Sequence, residues 1–290
     1  MLSGNGLSLE VGSCPDLFKV TASVVTFNSN KKQLEELLDS FSRSSQPISV
    51  TVVDNSATEE LRSVVIGKGH TYLHTERNVG FGSGHNIAIG QCLTRSKYHV
   101  VVNPDISFGE EVIGELYDFM ENHSDVGLVM PSIRYPDGSP QGLCKLLPTP
   151  LDLLVRRFLG RIGEALFRKL RERYELKGTN LTVPCEVPCL SGCFMFIRSA
   201  ELQRIGMFDE RFFMYLEDVD LCRRIGESSK CVYYPRAFVR HAYAKGSYND
   251  FGLLMHHAKS ALRYFSKWGW FYDVERRRLN ERAGLRVDHR

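Results

Sequence analysis

Apolar positions along this chain recur in two alternating rhythms. KVTASVVTFN (19–28) is an apolar, β-branched run, and stiff side chains of that kind favour extended backbone. KKQLEELLDSFSRS follows with Leu34, Leu37, Leu38 and Phe41 at helical spacing, so the pattern predicts a strand leading into an amphipathic helix. ISVTVVDNS (48–56) predicts a second strand ending in Asp54 and Asn55, ATEELRSVVIG a second helix, and HTYLHTERN a short third strand. GFGSGHNIAIGQCL predicts a glycine loop opening a helix, and VVVNPDISF (100–108) starts as another strand. Pro104 biases Asn103 toward extended geometry and stops further ladder pairing. Strands alternating with helices imply βαβ units, an α/β fold with a mainly parallel sheet. Ligands of such sheets bind beyond the strands' carboxyl ends, which puts Thr26 to Asn28, Asp54 and Asp105 along one edge.

GEEVIGELYDFMENHSD (109–125) predicts a further helix, and VGLVMPSI a strand followed by the turn YPDGSP. LDLLVRRFLGRIGEALFRKLRERYELK (151–177) carries Leu151, Leu154, Val155, Phe158, Ile162, Leu166 and Leu170 on one side of a helix, with arginines elsewhere. PCLSGCFMFIRSAELQRIG reads as strand into helix, KCVYYPRAFVRHAY as a late strand, and NDFGLLMHHAKSALRYFSKWGW as a helical tail. There is no repeat or low-complexity linker. The divisions expected are an extension over 1–18, a main domain over 19–245 with halves 19–105 and 106–245, and a basic helical tail over 246–290.

With 290 residues, 43% of them hydrophobic and 24% charged, the chain has the composition of an ordinary globular protein. Its net charge of +3 is too small to argue for nucleic acid. Positive charge nevertheless gathers at 156–177 and 259–290, where Lys259, Arg263 and Lys267 recur every fourth residue. These segments suit either an anionic membrane surface or helices packed on their own domain with a solvated basic face. No apolar run is long enough to span a bilayer, and the amino terminus lacks the pattern of a signal peptide. A cytoplasmic protein, or one bound at the inner face of the membrane, is expected. The eight cysteines are then expected to be reduced thiols. Cys185, Cys189 and Cys193 recur every fourth residue, but two prolines interrupt the stretch and paired CxxC spacing is absent, which argues against zinc.

FDERFFMYLEDVDLCRRIG (208–226) concentrates acids and aromatics. Glu217, Asp218 and Asp220 follow Phe212, Phe213, Met214 and Tyr215, a patch able to desolvate a carboxylate or to stack on a sugar ring. A general base needs such tuning, whereas a calcium loop would need a central glycine and alternating oxygen ligands. Acids favoured by a helix N-terminus account for part of the pattern.

Taken in order, VVTFNS, VVDNS, ERNVGFGSGHN, VVNPD, PDGS, SGCFMFIRS, GMFDERFFMYLEDVDLCRR and the later His241 resemble the inverting nucleotide-sugar glycosyltransferases of family 2, which have the GT-A fold. The resemblance covers roughly residues 20–245 and is strongest to the bacterial rhamnosyltransferase branch of lipopolysaccharide and O-antigen synthesis. It implies a donor such as dTDP-L-rhamnose, a lipid-linked saccharide acceptor and Mg2+ or Mn2+ as cofactor. Residue by residue it makes Asp218 the catalytic base and Asp54 a contact to the base of the nucleotide, with Thr26, Phe27 and Asn28 around it. Arg77, Asn78, Asn86 and Asn103 become nucleotide or phosphate contacts, a cationic fork and the amides of a glycine loop being suited to diphosphate. Ser191, Gly192 and Glu217 border the acceptor, and Asp105 with His241 holds the metal. Many members carry two aspartates in a DxD pattern where this chain has Asn103 and Pro104 before Asp105, so a weakly held cation is expected until the donor arrives. The other readings are a catalytically inactive sugar-nucleotide binder and a receiver-like signalling domain built on Asp54.

Overall fold

A computed structural model describes residues 18–158, 160–242 and 251–287. Most of the expected N-terminal extension, and the first residues of the tail, 246–250, lie outside the described residues. β1 (Phe18–Thr26), β2 (Ile48–Asp54), β3 (Thr71–His74) and β4 (Ser96–Val102) alternate with α1 (Lys31–Arg43), α2 (Arg62–Gly67) and α3 (Phe81–Cys92). β1 pairs in parallel with both β2 and β4, and β2 with β3. α1 begins where Asn30 caps the amides of Lys32 and Gln33 at 2.9 and 3.3 Å. It buries Leu34, Leu37, Leu38 and Phe41, the positions predicted from spacing.

The sheet continues through β5 (Ile106–Phe108), β6 (Val126–Arg134), β7 (Cys185–Glu186), β8 (Phe194–Arg198) and β9 (Lys230–His241). Its nine strands run β3-β2-β1-β4-β8-β6-β9-β5, with β7 also on β9. The sheet is mixed: β4–β8, β6–β8, β5–β9 and β7–β9 are antiparallel. α4 (Val112–Asn122), α7 (Ser199–Ile205) and α8 (Glu217–Gly226) complete the layers around it. The predicted helix over 151–177 divides into α5 (Pro150–Phe158) and α6 (Gly160–Tyr174), the latter broken at Phe167. In α5 the faces also differ from expectation, since Leu153 and Val155 are buried while Leu151 and Leu154 are exposed.

β5, a three-residue strand held by tertiary contacts, has no counterpart in the sequence pattern, while α10 (Val274–Glu281) falls within the helical tail expected over 246–290. With α9 (Phe251–Trp268), α10 packs on the body through a second core of Leu147, Leu153, Phe212, Tyr264, Phe265 and Leu279. Arg223 of α8 and Asp273, which caps α10, form a buried two-pronged ion pair at 2.6 and 2.7 Å, with Trp268 over the guanidinium. Cys185, Cys189 and Cys193 do not share a face: Cys189 belongs to this second core, the other two to the main one. The seven described cysteines are free thiols.

Candidate active site

Strand register gathers the site. Thr26 pairs with Asp54, and Val24 with Val102, so the carboxyl ends of β2, β1 and β4 stand side by side. Asp54 is fully buried. Its carboxylate accepts the Tyr72 hydroxyl at 2.8 Å and the Ser56 amide at 3.0 Å, and it lines a cavity of about 270 Å3 with Asn28 and Ser56. Asn28, at φ 50°, donates its amide to Ser56 Oγ at 2.8 Å. Thr26 Oγ1 is buried without a hydrogen-bond partner among the described residues, and Phe27 is 51% exposed at the rim.

β5 explains the next pair. Asp105 ends the turn after β4, Ile106 pairs with His241 across the β5–β9 ladder, and the Ala242 amide donates to the Asp105 carbonyl at 3.0 Å. That leaves His241 Nε2 3.3 Å from Asp105 Oδ1. Gln141 orients the ring, its Oε1 lying 2.9 Å from Nδ1 while its amide donates to the His241 carbonyl at 2.9 Å. A proton on Nδ1 satisfies this arrangement and turns the Nε2 lone pair toward Asp105. An oxygen donor from the turn after β4 and a nitrogen donor from β9 fit two positions of a divalent coordination sphere. No cluster of three His, Cys, Asp or Glu side chains occurs among the described residues, so a cation would need further ligands from its substrate or water. Asn103 holds the same turn, its amide donating to Cys193 at 2.9 Å and its carbonyl accepting from Ile106 at 3.3 Å.

β8 runs back beside β4, so the Ser191–Gly192 turn reaches this edge. The Gly192 amide donates to Asp218 Oδ2 at 3.0 Å, and the Val219 amide to Oδ1 at 2.8 Å. A Cβ on Gly192 would sit 3.3 Å from both Asp218 and Phe81, so the bare backbone allows this approach. Asp218 thus stands at the first turn of α8 in a cavity of about 770 Å3 whose wall includes Asn103, Ser191, Gly192, Glu217 and His241. Tyr215 and Leu216, just before it, both adopt left-handed backbone at φ 69° and 65°. Such conformations cost about 1–2 kcal/mol each for residues with side chains. Neighbours hold them: Ser260 of α9 donates to the Met214 carbonyl at 2.8 Å, His256 stacks on Phe213, and the Phe81 amide donates to Phe213 at 3.0 Å.

The three acids of LEDVD separate. Glu217 is buried, its Oε2 has no hydrogen-bond partner among the described residues, and burial, with the Asp218 charge second, raises its pKa well above the usual carboxylate value. Asp220 points away, to Arg224 at 2.9 Å, Trp268 Nε1 at 2.8 Å and Lys267 at 2.7 Å. It is a structural anchor for the tail.

Two expectations about the glycine loop change. Asn86 spends its amide on the 208–210 segment, with contacts of 2.9 and 3.0 Å to Phe208 and 3.0 Å to Glu210, and lines neither cavity. The Gly80 and Phe81 amides are taken by Asn78 Oδ1 and Phe213, and a Cβ at Gly84 would come within 2.8 Å of Val25. The loop's small residues therefore serve close packing of α3 on β1. Asn78 also accepts from Asn55 at 3.4 Å, and Arg77 projects exposed from the turn before α3. Asn55, Tyr72 and Gln141 are the residues that sequence reasoning missed. Asn55 adjoins Asp54 in VVDNS, but nothing in the linear pattern couples Gln141 to His241, 100 residues away.

The sheet and its helical layers are those of GT-A glycosyltransferases. The family model described as Glycosyl transferase family 2 matches residues 21–206, and the chain belongs to that family. It is 30% identical over 237 residues to the N-acetylglucosaminyl-diphospho-decaprenol L-rhamnosyltransferase of Mycobacterium tuberculosis, covering 75% of this chain and 74% of the relative. It is 21% identical over 252 residues to Rhamnosyltransferase WbbL of Escherichia coli, covering 84% and 92%. Among solved structures, the mannosyltransferase PcManGT of Pyrobaculum calidifontis, determined with GDP-Man and Mn2+, has a TM-score of 0.57 at 17% identity, with 88% of this chain and 66% of that one covered. The protein is a glycosyltransferase. The receiver-like alternative required a domain of less than half this length, whereas one sheet runs from Phe18 to His241.

Proposed function

We propose that the protein transfers L-rhamnose from dTDP-L-rhamnose, with inversion, to a saccharide carried on a lipid diphosphate, as in lipopolysaccharide or O-antigen precursors. The observation that carries this is Asp218, aimed by two backbone amides into the cavity that Asn103 and His241 also line. Relatives named as rhamnosyltransferases support the sugar, and one of them is named for a diphospho-decaprenol acceptor.

Asp218 accepts the proton of an acceptor hydroxyl as that oxygen attacks the anomeric carbon. The bond from that carbon to the nucleoside diphosphate breaks on the opposite side, its electron pair leaving with the phosphate oxygen. Holding both substrates at one sheet edge supplies proximity. Asp54, oriented by Tyr72, and Thr26, Phe27 and Asn28 take the base and ribose side of the donor, with Arg77, Asn78 and Asn103 toward the phosphates. Asn86 supports the site by fixing the 208–210 segment. Ser191, Gly192 and Glu217 border the acceptor. Asp105 and His241 would hold Mg2+ or Mn2+, which when bound supplies Lewis-acid stabilisation to the departing diphosphate; Mn2+ accompanies the mannosyltransferase PcManGT. An anionic membrane surface is the place where such an acceptor is met, and no described helix is long and apolar enough to cross it.

Asp218→Asn tests the assignment. Transfer from dTDP-L-rhamnose should fall by at least about 100-fold, the usual scale for a general base, while the thermal shift caused by dTDP persists. Transfer at the parent rate with donor binding intact would remove Asp218 from the chemistry.

A further inference from the structure

A cluster of polar side chains lies sealed in the core beneath the site, and the transfer reaction uses none of it. Ser23 of β1, His99 of β4 and His85 of α3 are each at most 1% exposed. Ser23 Oγ stands 2.7 Å from His85 Nδ1 and 2.8 Å from His99 Nε2, and Thr21 Oγ1 stands 2.8 Å from His99 Nδ1. Burial keeps both rings neutral: it lowers the pKa of His85 well below the usual histidine value, with the His99 charge second, and pushes His99 down to about 3. A neutral imidazole carries one N–H and a serine hydroxyl one proton, so the chain of bonds must run one way. His85 Nε2 has no hydrogen-bond partner among the described residues, so a proton there would have no acceptor. The direction that satisfies every N–H is His85 Nδ1 to Ser23, Ser23 to His99 Nε2, and His99 Nδ1 to Thr21. Apolar side chains of equal volume would hold these elements together at least as well. What a directed chain adds is a fixed orientation of its members.

That orientation reaches Asp218. The Phe81 ring meets the His85 ring in a T-shaped contact with centroids 4.4 Å apart, and Phe208 stands against the two at 6.0 and 5.9 Å. Phe81 also abuts the Gly192 turn: its Cε1 and Cζ lie 3.3 and 3.4 Å from where a Gly192 Cβ would stand, and Asp218 Cβ lies 3.3 Å from the same point. Gly192 is the residue whose amide donates to Asp218 Oδ2, and the Phe81 amide donates to the Phe213 carbonyl at the entry to the left-handed turn before Asp218. The first residue of α3 therefore touches both the turn that donates to the carboxylate and the backbone that leads into it. We infer that His85, locked by Ser23 and His99, is a positioning residue for Asp218, acting through Phe81 on the Gly192 amide, a role that deepens the proposed function and rests on its reading of Asp218 as the base. A shift of α3 would move Gly192 relative to Asp218 Oδ2 and leave on Oδ1 the Val219 amide, which belongs to the same helix as Asp218. Reaction rates fall steeply with misplacement of that kind.

His85→Phe keeps a ring against Phe81 and removes the bond to Ser23, while Phe81→Leu keeps that bond and removes the ring beside Gly192. The full chain of each variant is read in two ways. In amide NMR across pH, the Gly192 and Val219 signals of the parent should titrate together with Asp218; in the variants the Gly192 signal should move upfield and lose that titration while Val219 keeps it. In transfer assays both variants should lose roughly tenfold or more in kcat, with the KM for the donor and the thermal shift caused by dTDP unchanged. Ile89→Val, which trims the buried face of the same helix, is the control and should match the parent in kcat and in both signals. Phe81 is only half-buried, so Phe81→Leu decides the matter where His85→Phe does not fold. Signals that still titrate together, a kcat at the parent level, or an equal loss of kcat in the control would overturn the inference. The NMR reading needs no substrate: a parent inactive with dTDP-L-rhamnose whose Gly192 signal still uncouples in the variants would sink the sugar assignment and leave the positioning role standing.

Discussion

Glu217 and Asp218 adjoin in sequence, yet one carboxylate is oriented by two amides in an open cavity and the other is buried with an oxygen unpartnered. The sequence placed both beside aromatics, but which of them would be desolvated depends on the left-handed turn at Tyr215 and Leu216, which no local propensity favours. Burial, with the Asp218 charge second, raises the pKa of Glu217 well above the usual carboxylate value and so favours its protonated, hydrogen-bond-donating form. The shift also has a sign for stability. A carboxyl whose pKa is raised by folding contributes fully below its unfolded value, near 4.3, and that contribution is lost as pH rises toward the folded value, by roughly 1.4 kcal/mol per unit. Glu217→Gln removes the titration while keeping the shape. Urea midpoints of the variant should therefore decline less than the parent's from pH 5 to pH 8, with the variant ahead at the upper end. Parallel profiles would mean that Glu217 is ionised in the native protein.

At the scale of elements, continuous apolar, β-branched runs made β1, β2 and β4 legible although their burial shows no clean alternation, and the helical spacing of Leu34, Leu37, Leu38 and Phe41 did the same for α1. The pair proposed to hold the metal was legible in its parts: Asp105 follows a visible strand and His241 is matched through the family resemblance, but they are joined through β5, a strand too short for any periodic signal. The tail was visible as helix and misleading as a separate element, since its role depends on a pair 50 residues apart, Arg223 and Asp273. This pair is almost wholly buried, 3% and 2% exposed, and ties α8, which bears Asp218, to the cap of α10. Asp273→Asn leaves the Arg223 charge buried and uncompensated, a change that costs about 3–5 kcal/mol in comparable settings. Chemical unfolding should register that loss. Arg223→Met combined with Asp273→Leu should recover much of it, since an apolar pair restores packing without desolvating charge. A loss under 0.5 kcal/mol, within the range of ordinary surface changes, would mean that the Arg223–Asp273 pair does not hold the helices together.

Over the whole molecule, eight of the twelve exposed large apolar side chains among the described residues belong to α5, α9, α10 and the turn before α10. Leu151 and Leu154 of α5, Met255 and Leu262 of α9, Trp270, Phe271 and Tyr272 in the turn between α9 and α10, and Val274 at the start of α10 are all exposed, the last three by 83, 94 and 81%. Thr149, just before α5, lines a cleft with Phe271, Tyr272 and Val274, so the segment entering α5 meets the start of α10 and the turn before it. Arg173 and Arg277 line the same cleft. Aromatic side chains beside arginines match the chemistry of an anionic lipid interface, where rings enter the headgroup region and cations stay outside it. This favours membrane docking over the solvated basic face that the sequence left equally open, and the new element is the aromatic turn rather than the charge. Phe271→Ser with Tyr272→Ser should lower sedimentation with vesicles containing phosphatidylglycerol several-fold while leaving the unfolding midpoint within about 0.5 kcal/mol of the parent, since both rings stand in solvent. Salt should weaken binding of the parent only in part, because screening acts on the arginines and not on inserted rings. Sedimentation that is unchanged in the double variant, or absent in the parent at low salt, would exclude these elements as the docking face.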